Sequence, residues 1–142
     1  MKAMLLAWMV IAAAAGASSV ADRLRVVADG STVHLTTVGR KSGQPRTVTI
    51  WYVVDAGAVY VQSGKGGKTD WYRNVKAKPE VTLDFGELRV VGRATPIADE
   101  NEARRVRELF RQKYWLAWMA SWVGAGFGQG AVVRIEPSDT TV

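Results

Sequence analysis

The sequence predicts a mainly β domain of the α+β class, in which five or six mostly antiparallel strands close or half-close into a small barrel. Three observations predict it: short runs rich in Val, Thr, Tyr and Trp, turn residues between those runs, and one long stretch with helical spacing late in the chain. The chain has 142 residues, of which 48% are hydrophobic, so it can bury the core of one domain.

The predicted strands are short and are separated by turn residues. Asp55–Gly57 and Gly86–Glu87 have the composition of hairpin turns, and Ser138–Val142 is predicted to be a tail. The strands are predicted at Val33–Val38, Thr47–Val54, Ala58–Gln62, Val81–Phe85, Leu88–Ala94 and Ala131–Glu136.

Two helices are predicted after the first three strands. A short helix is capped by Thr69 or Asp70 and is ended by Pro79. A long helix begins at Asp99, whose carboxylate is expected to form a capping box with Glu102. Its apolar face consists of Ala103, Val106, Leu109 and Phe110.

The composition excludes several kinds of chemistry. There is no cysteine, so disulfides, thiolate catalysis and cysteine-ligated metal centres are excluded. The single histidine, His34, alternates with Val33 and Leu35 and is therefore expected to face solvent or a partner. An ordinary strand histidine is favoured over a haem ligand, and no metal site is predicted. The net charge is +6, but the basic residues gather in two loops and one helix, which favours a small anionic ligand over nucleic acid.

Residues 1–21 form an apolar leader ahead of a predicted barrel domain at residues 22–142. Lys2 precedes the apolar stretch, and Ser19-Val20-Ala21 has the small-residue pattern of a cleavage site, with Ala15-Gly16-Ala17 as a second candidate. A signal peptide is favoured over a packed or membrane-lying N-terminal helix. Export or membrane association, with membrane contact through residues 1–21, is therefore favoured over a cytoplasmic location.

Two loops combine glycine with fixed positive charge. The first lies within Leu35–Arg46 and carries Arg40, Lys41 and Arg46, and the second is Ser63–Lys68. Glycine and proline make such connections short and stiff, and clustered cations on them favour a phosphate or another anion. The alternative is a solvated hairpin tip that is basic without a ligand.

Three runs in this order, Leu35–Thr47, Gly64–Gly67 and Trp71–Pro79, resemble the signature of the deazaflavin-dependent nitroreductase family. These proteins are split β-barrel flavin/deazaflavin oxidoreductases, related to the FMN-binding pyridoxamine-phosphate-oxidase group. The resemblance implies that reduced coenzyme F420 delivers hydride to an electron-poor acceptor, such as a quinone, an activated alkene or a nitro compound. FMN is the alternative cofactor, and a non-catalytic flavin or deazaflavin carrier is the alternative function. A homodimer is expected by analogy with other split barrels.

The resemblance also implies which residues bind the cofactor. The three cations of the first loop match residues that hold the phosphate and acidic tail, and Ser63–Lys65 matches a loop beside the deazaflavin ring. Trp71 and Tyr72 lie where the family's helix packs against the cofactor, although core packing is the commoner role of such aromatics. The full predicted set is Arg40, Lys41, Ser42, Gly43, Pro45, Arg46, Thr47, Ser63, Gly64, Lys65, Gly66, Trp71 and Tyr72.

The substrate side is predicted to lie after the long helix. Tyr114 is the candidate proton donor there, with water as the alternative. Nearby large aromatics favour a planar or lipophilic substrate, with closure of the core or of a dimer interface as the alternative. They are Trp115, Trp118, Trp122 and Phe127. The apolar leader takes the place where the family has an amphipathic helix before its barrel.

Overall fold

The computed structural model describes residues 19–64, 67–116 and 130–141. In these residues six strands form one closed barrel in which every neighbouring pair is antiparallel. The strands are β1 (Thr32–Val38), β2 (Pro45–Asp55), β3 (Ala58–Ser63), β4 (Glu80–Asp84), β5 (Arg89–Pro96) and β6 (Ala131–Thr141), in the spatial order β1-β2-β3-β6-β5-β4. The described helices are α1 (Val20–Val27), α2 (Asp70–Ala77) and α3 (Glu100–Lys113). The predicted mainly β barrel is confirmed.

The barrel interior follows from strand alternation. On β1, Val33, Leu35 and Thr37 are buried, whereas His34 is exposed and its Nδ1 lies 3.1 Å from the hydroxyl of Thr49. The predicted outward orientation of His34 is therefore confirmed. Inward-facing residues of all six strands join α1 and α2 in one apolar core.

Strand β6 closes the barrel and is longer than predicted. It continues to Thr141 because its later residues pair with β5, as between Val90 and Thr141. The prediction of a tail from Ser138 is wrong. A Cβ at Gly92 would lie 2.9 Å from the carbonyl oxygen of Glu136, so glycine permits the close approach of these strands.

Helix α1 was not predicted. Ser19 caps it, and its hydroxyl accepts from the backbone N–H of Asp22, whose carboxylate accepts in return from the N–H of Ser19. Leu24 and Val27 are buried against the barrel. An amphipathic helix thus precedes the barrel, and the expectation that the leader replaces it is wrong.

Helix α3 packs on the outside of the barrel. Ala103, Val106 and Phe110 are buried against β2, β3 and β6, as the spacing predicted. Asp99 caps the helix by accepting from the N–H of Asn101. The predicted capping box is not formed, because Glu102 instead accepts from Arg134 Nη1 at 2.7 Å.

Candidate functional site

The loop between β1 and β2 depends on two glycines for different reasons. The N–H of Gly39 donates to the carbonyl of Gln44 at 2.8 Å, and the N–H of Gly43 donates to the carbonyl of Gly39 at 2.9 Å. Gly43 has a φ of 71°, the left-handed conformation expected of it. Gly39 does not have a positive φ; a Cβ there would lie 2.4 Å from Ser42 Oγ and would displace the hydroxyl that accepts from the N–H of Gln44.

This loop, the start of β2 and helix α2 line an open cavity of about 600 Å³. That volume lies within the usual range for small-molecule sites. The cavity brings together part of the predicted set: Arg40, Lys41, Ser42, Pro45, Arg46, Thr47 and Trp71. Four further residues complete its lining: Gly39, Val48, Asp70 and Asn74.

Arg40 is the most constrained cation of the cavity. Its side chain is 25% exposed, and its guanidinium Nη1 donates to Asn74 Oδ1 at 2.8 Å. The backbone N–H of Arg40 donates to the same oxygen at 3.1 Å. Nη2 lies 3.3 Å from Asp70 Oδ1, so the guanidinium lies against the first turn of α2.

Lys41 and Arg46 are more exposed. Arg46 lies on β2 directly opposite Thr37, and its side chain lines the same cavity as that of Arg40. Within the described part of the chain, neither Lys41 nor Arg46 takes part in an ion pair. Three cations therefore converge on one cavity that is balanced by one acidic side chain, which is suited to an anion with several charges.

Trp71 and Tyr72 differ in position. Trp71 is 7% exposed and belongs to the core, yet it also lines the cavity. Tyr72 is half-buried and packs near Gly67, and it does not line the cavity. Contact with a cofactor remains a prediction for both residues, and the structure favours it for Trp71.

The other described residues of the predicted cofactor set lie outside this cavity. Ser63 is fully buried, and its hydroxyl is bonded to Thr69 at 2.6 Å and to the carbonyl of Gly64 at 3.1 Å. Thr69 directly precedes α2. Because its hydroxyl is bonded to Ser63, its side chain does not cap the helix. Gly43 lines a neighbouring shallow groove, and Lys65 and Gly66 lie outside the described residues.

Tyr114 lies away from the cavity, at the end of α3. Its hydroxyl lies 2.8 Å from the carbonyls of Ser31 and Tyr52 and accepts from the N–H of Tyr52 at 3.1 Å. Its ring stacks on Trp51 with centroids 4.6 Å apart. Burial raises the pKa of Tyr114 to about 12. Its catalytic role remains a prediction, but these contacts favour a structural role.

Sequence reasoning missed Asp70 and Asn74 as site residues. Both lie in the short helix that the sequence predicted, four residues apart and therefore on one helical face. Asn74 is 3% exposed, a burial that only the structure reveals. The available sequence signal was its place within the Trp71–Pro79 run.

The described residues contain no cluster of three or more His, Cys, Asp or Glu side chains suited to a metal ion. Among the described helices, none combines the length and the apolar character of a membrane span.

The family model of the F420H(2)-dependent quinone reductases matches residues 9–124. The chain belongs to this family. The match includes the loop between β1 and β2, α2 and α3. It confirms the resemblance to deazaflavin-dependent split-barrel reductases.

One curated relative is an F420H(2)-dependent quinone reductase of Mycobacterium tuberculosis. It is 38% identical to this chain over 66 residues, which are 44% of this chain and 44% of that protein. The matched segment thus spans less than half of the relative's length.

Two solved structures share the barrel. The F420-H2 dependent reductase FDR-A is 26% identical, with a TM-score of 0.60 over 75% of this chain and 95% of that chain. A Listeria innocua protein assigned as a pyridoxamine 5'-phosphate oxidase has a TM-score of 0.64 at 18% identity, over 86% of this chain and 97% of that chain. Together they confirm that this member of the quinone reductase family has the split-barrel fold.

Proposed function

We propose that this chain is a reductase that uses reduced coenzyme F420 to transfer hydride to a quinone-like acceptor. One observation carries the proposal: Arg40, Lys41 and Arg46 converge on a single cavity in a chain of the F420H(2)-dependent quinone reductase family. The cofactor and the acceptor named for the relatives are extended to this chain on that ground.

The cavity residues fit the cofactor's acidic portion. The resemblance implies a phosphate and an acidic tail, and each arginine offers a planar pair of donors for a phosphate or carboxylate. Lys41 adds a mobile point charge at the exposed rim. A single phosphate does not need three cations, so the site favours a longer polyanion such as the deazaflavin tail over FMN.

The chain's own part is to bind and to orient. When bound, the reduced deazaflavin supplies the hydride. Asn74 holds Arg40 in place, and the three cations fix the acidic tail. Trp71, whose indole is almost fully buried in the core, contributes an apolar side chain to the cavity wall.

The acceptor is proposed to be planar and lipophilic. Trp115 and Leu116, which follow α3, are 53% and 68% exposed and offer an apolar surface. The other predicted aromatics, Trp118, Trp122 and Phe127, lie outside the described residues. Assembly into a homodimer, by analogy with other split barrels, is proposed as well.

Two observations argue against cleavage of the leader after Ala21. The family match begins at residue 9, inside the leader, and cleavage after Ala21 would remove the cap and the first residues of α1. The remaining helix would lose its capping box, which depends on Ser19. Intact mass of the protein from its native cell tests this: a chain that begins near Asp22 would contradict it. Cellular location stays a prediction.

The proposed function is tested by binding and by turnover. Fluorescence titration should show tighter binding of F420 than of FMN, and reduced F420 should be oxidised only when a soluble quinone is added. Lys41→Ala should weaken F420 binding, whereas Arg104→Ala, which removes an exposed cation of α3 outside the cavity lining, should not. Tighter binding of FMN, or no quinone-dependent oxidation, would contradict the proposal.

A further inference from the structure

Arg40 has two partners of different kinds on α2. Asn74 is neutral and buried, and it accepts from the backbone and from Nη1 of Arg40. Asp70 is charged, and its side chain is 85% exposed. It accepts from the other guanidinium nitrogen, Nη2, at 3.3 Å. One partner is therefore fixed, and the other is exchangeable.

The contact with Asn74 is suited to be permanent. Asn74 Nδ2 donates to Thr37 Oγ1 at 3.2 Å, and Thr37 is fully buried. Breaking this chain of bonds would leave buried polar atoms unsatisfied. Because the amide is neutral, it orients Arg40 without compensating its positive charge.

The contact with Asp70 is suited to exchange. The side chain of Asp70 makes one ion pair through a carboxylate that is mostly in water, and such pairs contribute little to stability. Arg40 Nη1 also donates to the backbone carbonyl of Asp70 at 3.4 Å, a contact that exchange of the carboxylate leaves in place. Asp70 also lines the cavity, beside the nitrogen that an incoming acidic group would bind. In the free protein the Asp70 carboxylate thus has the same kind of contact with Arg40 as a ligand carboxylate or phosphate would have.

We infer that Asp70 is a selectivity residue that competes with the ligand for Arg40. A bound acidic group takes the place of Asp70 at Nη2, while Asn74 keeps the guanidinium in position. A ligand with several acidic groups also reaches Lys41 and Arg46 and compensates for this displacement, whereas a small monoanion does not. The inference rests on the proposed function and adds to it a residue that favours extended polyanions.

The test compares four variants by titration with F420. Asp70→Asn keeps the shape of the side chain and should lower the Kd by about three- to tenfold, since both a competing partner and a like charge are removed. Glu80→Gln is the matched control, because Glu80 is exposed and pairs with Arg93 outside the cavity lining. It should change the Kd by less than about twofold.

The double variant shows whether the effect passes through Arg40. In an Arg40→Ala background, Asp70→Asn should change the Kd by less than about twofold, because the contested guanidinium is gone. An equal gain in both backgrounds would overturn the inference in favour of general charge repulsion. Weaker binding by Asp70→Asn would also overturn it, since Asp70 would then help to orient Arg40.

Inorganic pyrophosphate as a second probe separates this inference from the proposed function. If F420 does not bind but pyrophosphate binds more tightly to Asp70→Asn, the function is wrong and the selectivity role stands. If F420 binds and supports quinone reduction while Asp70→Asn leaves both Kd values unchanged, the selectivity role is wrong and the function stands. Failure of both probes to bind would overturn both.

Discussion

At the scale of single residues, the buried amide of Asn74 determines where the charge of Arg40 lies. Its oxygen accepts two hydrogen bonds from Arg40, and its nitrogen donates to Thr37 inside the barrel. An aspartate here would hold Arg40 as well but would neutralise it, and a leucine would leave it unsupported. The amide thus connects the barrel core to the cavity without changing the charge of the site.

Asn74→Ala is expected to lower the free energy of unfolding by about 1–3 kcal/mol, because the N–H of Arg40 and the hydroxyl of Thr37 lose their partner. Urea unfolding measures this. Asn101→Ala, which removes an exposed amide at the start of α3, should stay within about 0.5 kcal/mol of the wild type. Equal losses for the two variants would show that Asn74 has no special structural role.

At the scale of elements, the end of α3 is anchored to the barrel and to the turn after α1. Lys113 Nζ donates to the carbonyls of Ala28 and Tyr52 at 3.0 and 2.9 Å and lies 4.0 Å from the centroid of the Tyr52 ring. Burial lowers the pKa of Lys113 to about 8, although nearby Asp29 opposes this shift. The Lys113 amine at the end of α3 therefore loses its positive charge in mildly alkaline solution.

Stability is expected to rise with pH between about 8 and 10 because of Lys113. In this range the folded protein has released the Lys113 proton, whereas the unfolded chain keeps it until its ordinary pKa of 10.5, so the unfolded state binds more protons. Above about pH 10 the raised pKa of Tyr114 acts in the opposite direction, since the folded state then keeps the proton that the unfolded state loses.

The free energy of unfolding, measured with urea near pH 7.5 and near pH 9.5, checks this expectation. Lys113→Met should remove most of the rise, whereas Lys76→Met, on the exposed side of α2, should keep it. The same pH slope in wild type and in Lys113→Met would contradict the role given to the buried amine.

At the scale of the whole molecule, the sequence predicted the barrel well and the site only in part. Strand alternation and turn residues are local, so the strands and the two later helices were placed within a few residues. Helix α1 was missed because its first residues also have the composition of a cleavage site. The contact between Arg40 and Asn74 joins residues 34 apart in the chain, and no local pattern specifies such a pairing.

The net charge of +6 attracts any anion to the protein surface. Binding of F420 alone therefore does not distinguish a dedicated site from general attraction. Arg46→Ala and Arg104→Ala remove the same formal charge, but only Arg46 lines the cavity, while Arg104 is exposed on α3. Arg46→Ala should weaken F420 binding by about 1.5–3 kcal/mol, the usual contribution of a hydrogen bond to a charged group. Arg104→Ala should change it very little.

The salt dependence of the same titrations distinguishes a dedicated site from general attraction. Added salt should weaken F420 binding to the wild type because it screens the cations of the cavity. Arg46→Ala should show a shallower dependence, since one cation fewer meets the acidic tail, whereas Arg104→Ala should follow the wild type. Equal losses of affinity and equal slopes for the two variants would mean that affinity comes from overall charge. The loop between β1 and β2 would then not be a dedicated anion site, and the proposed F420 function would lose its main physical support.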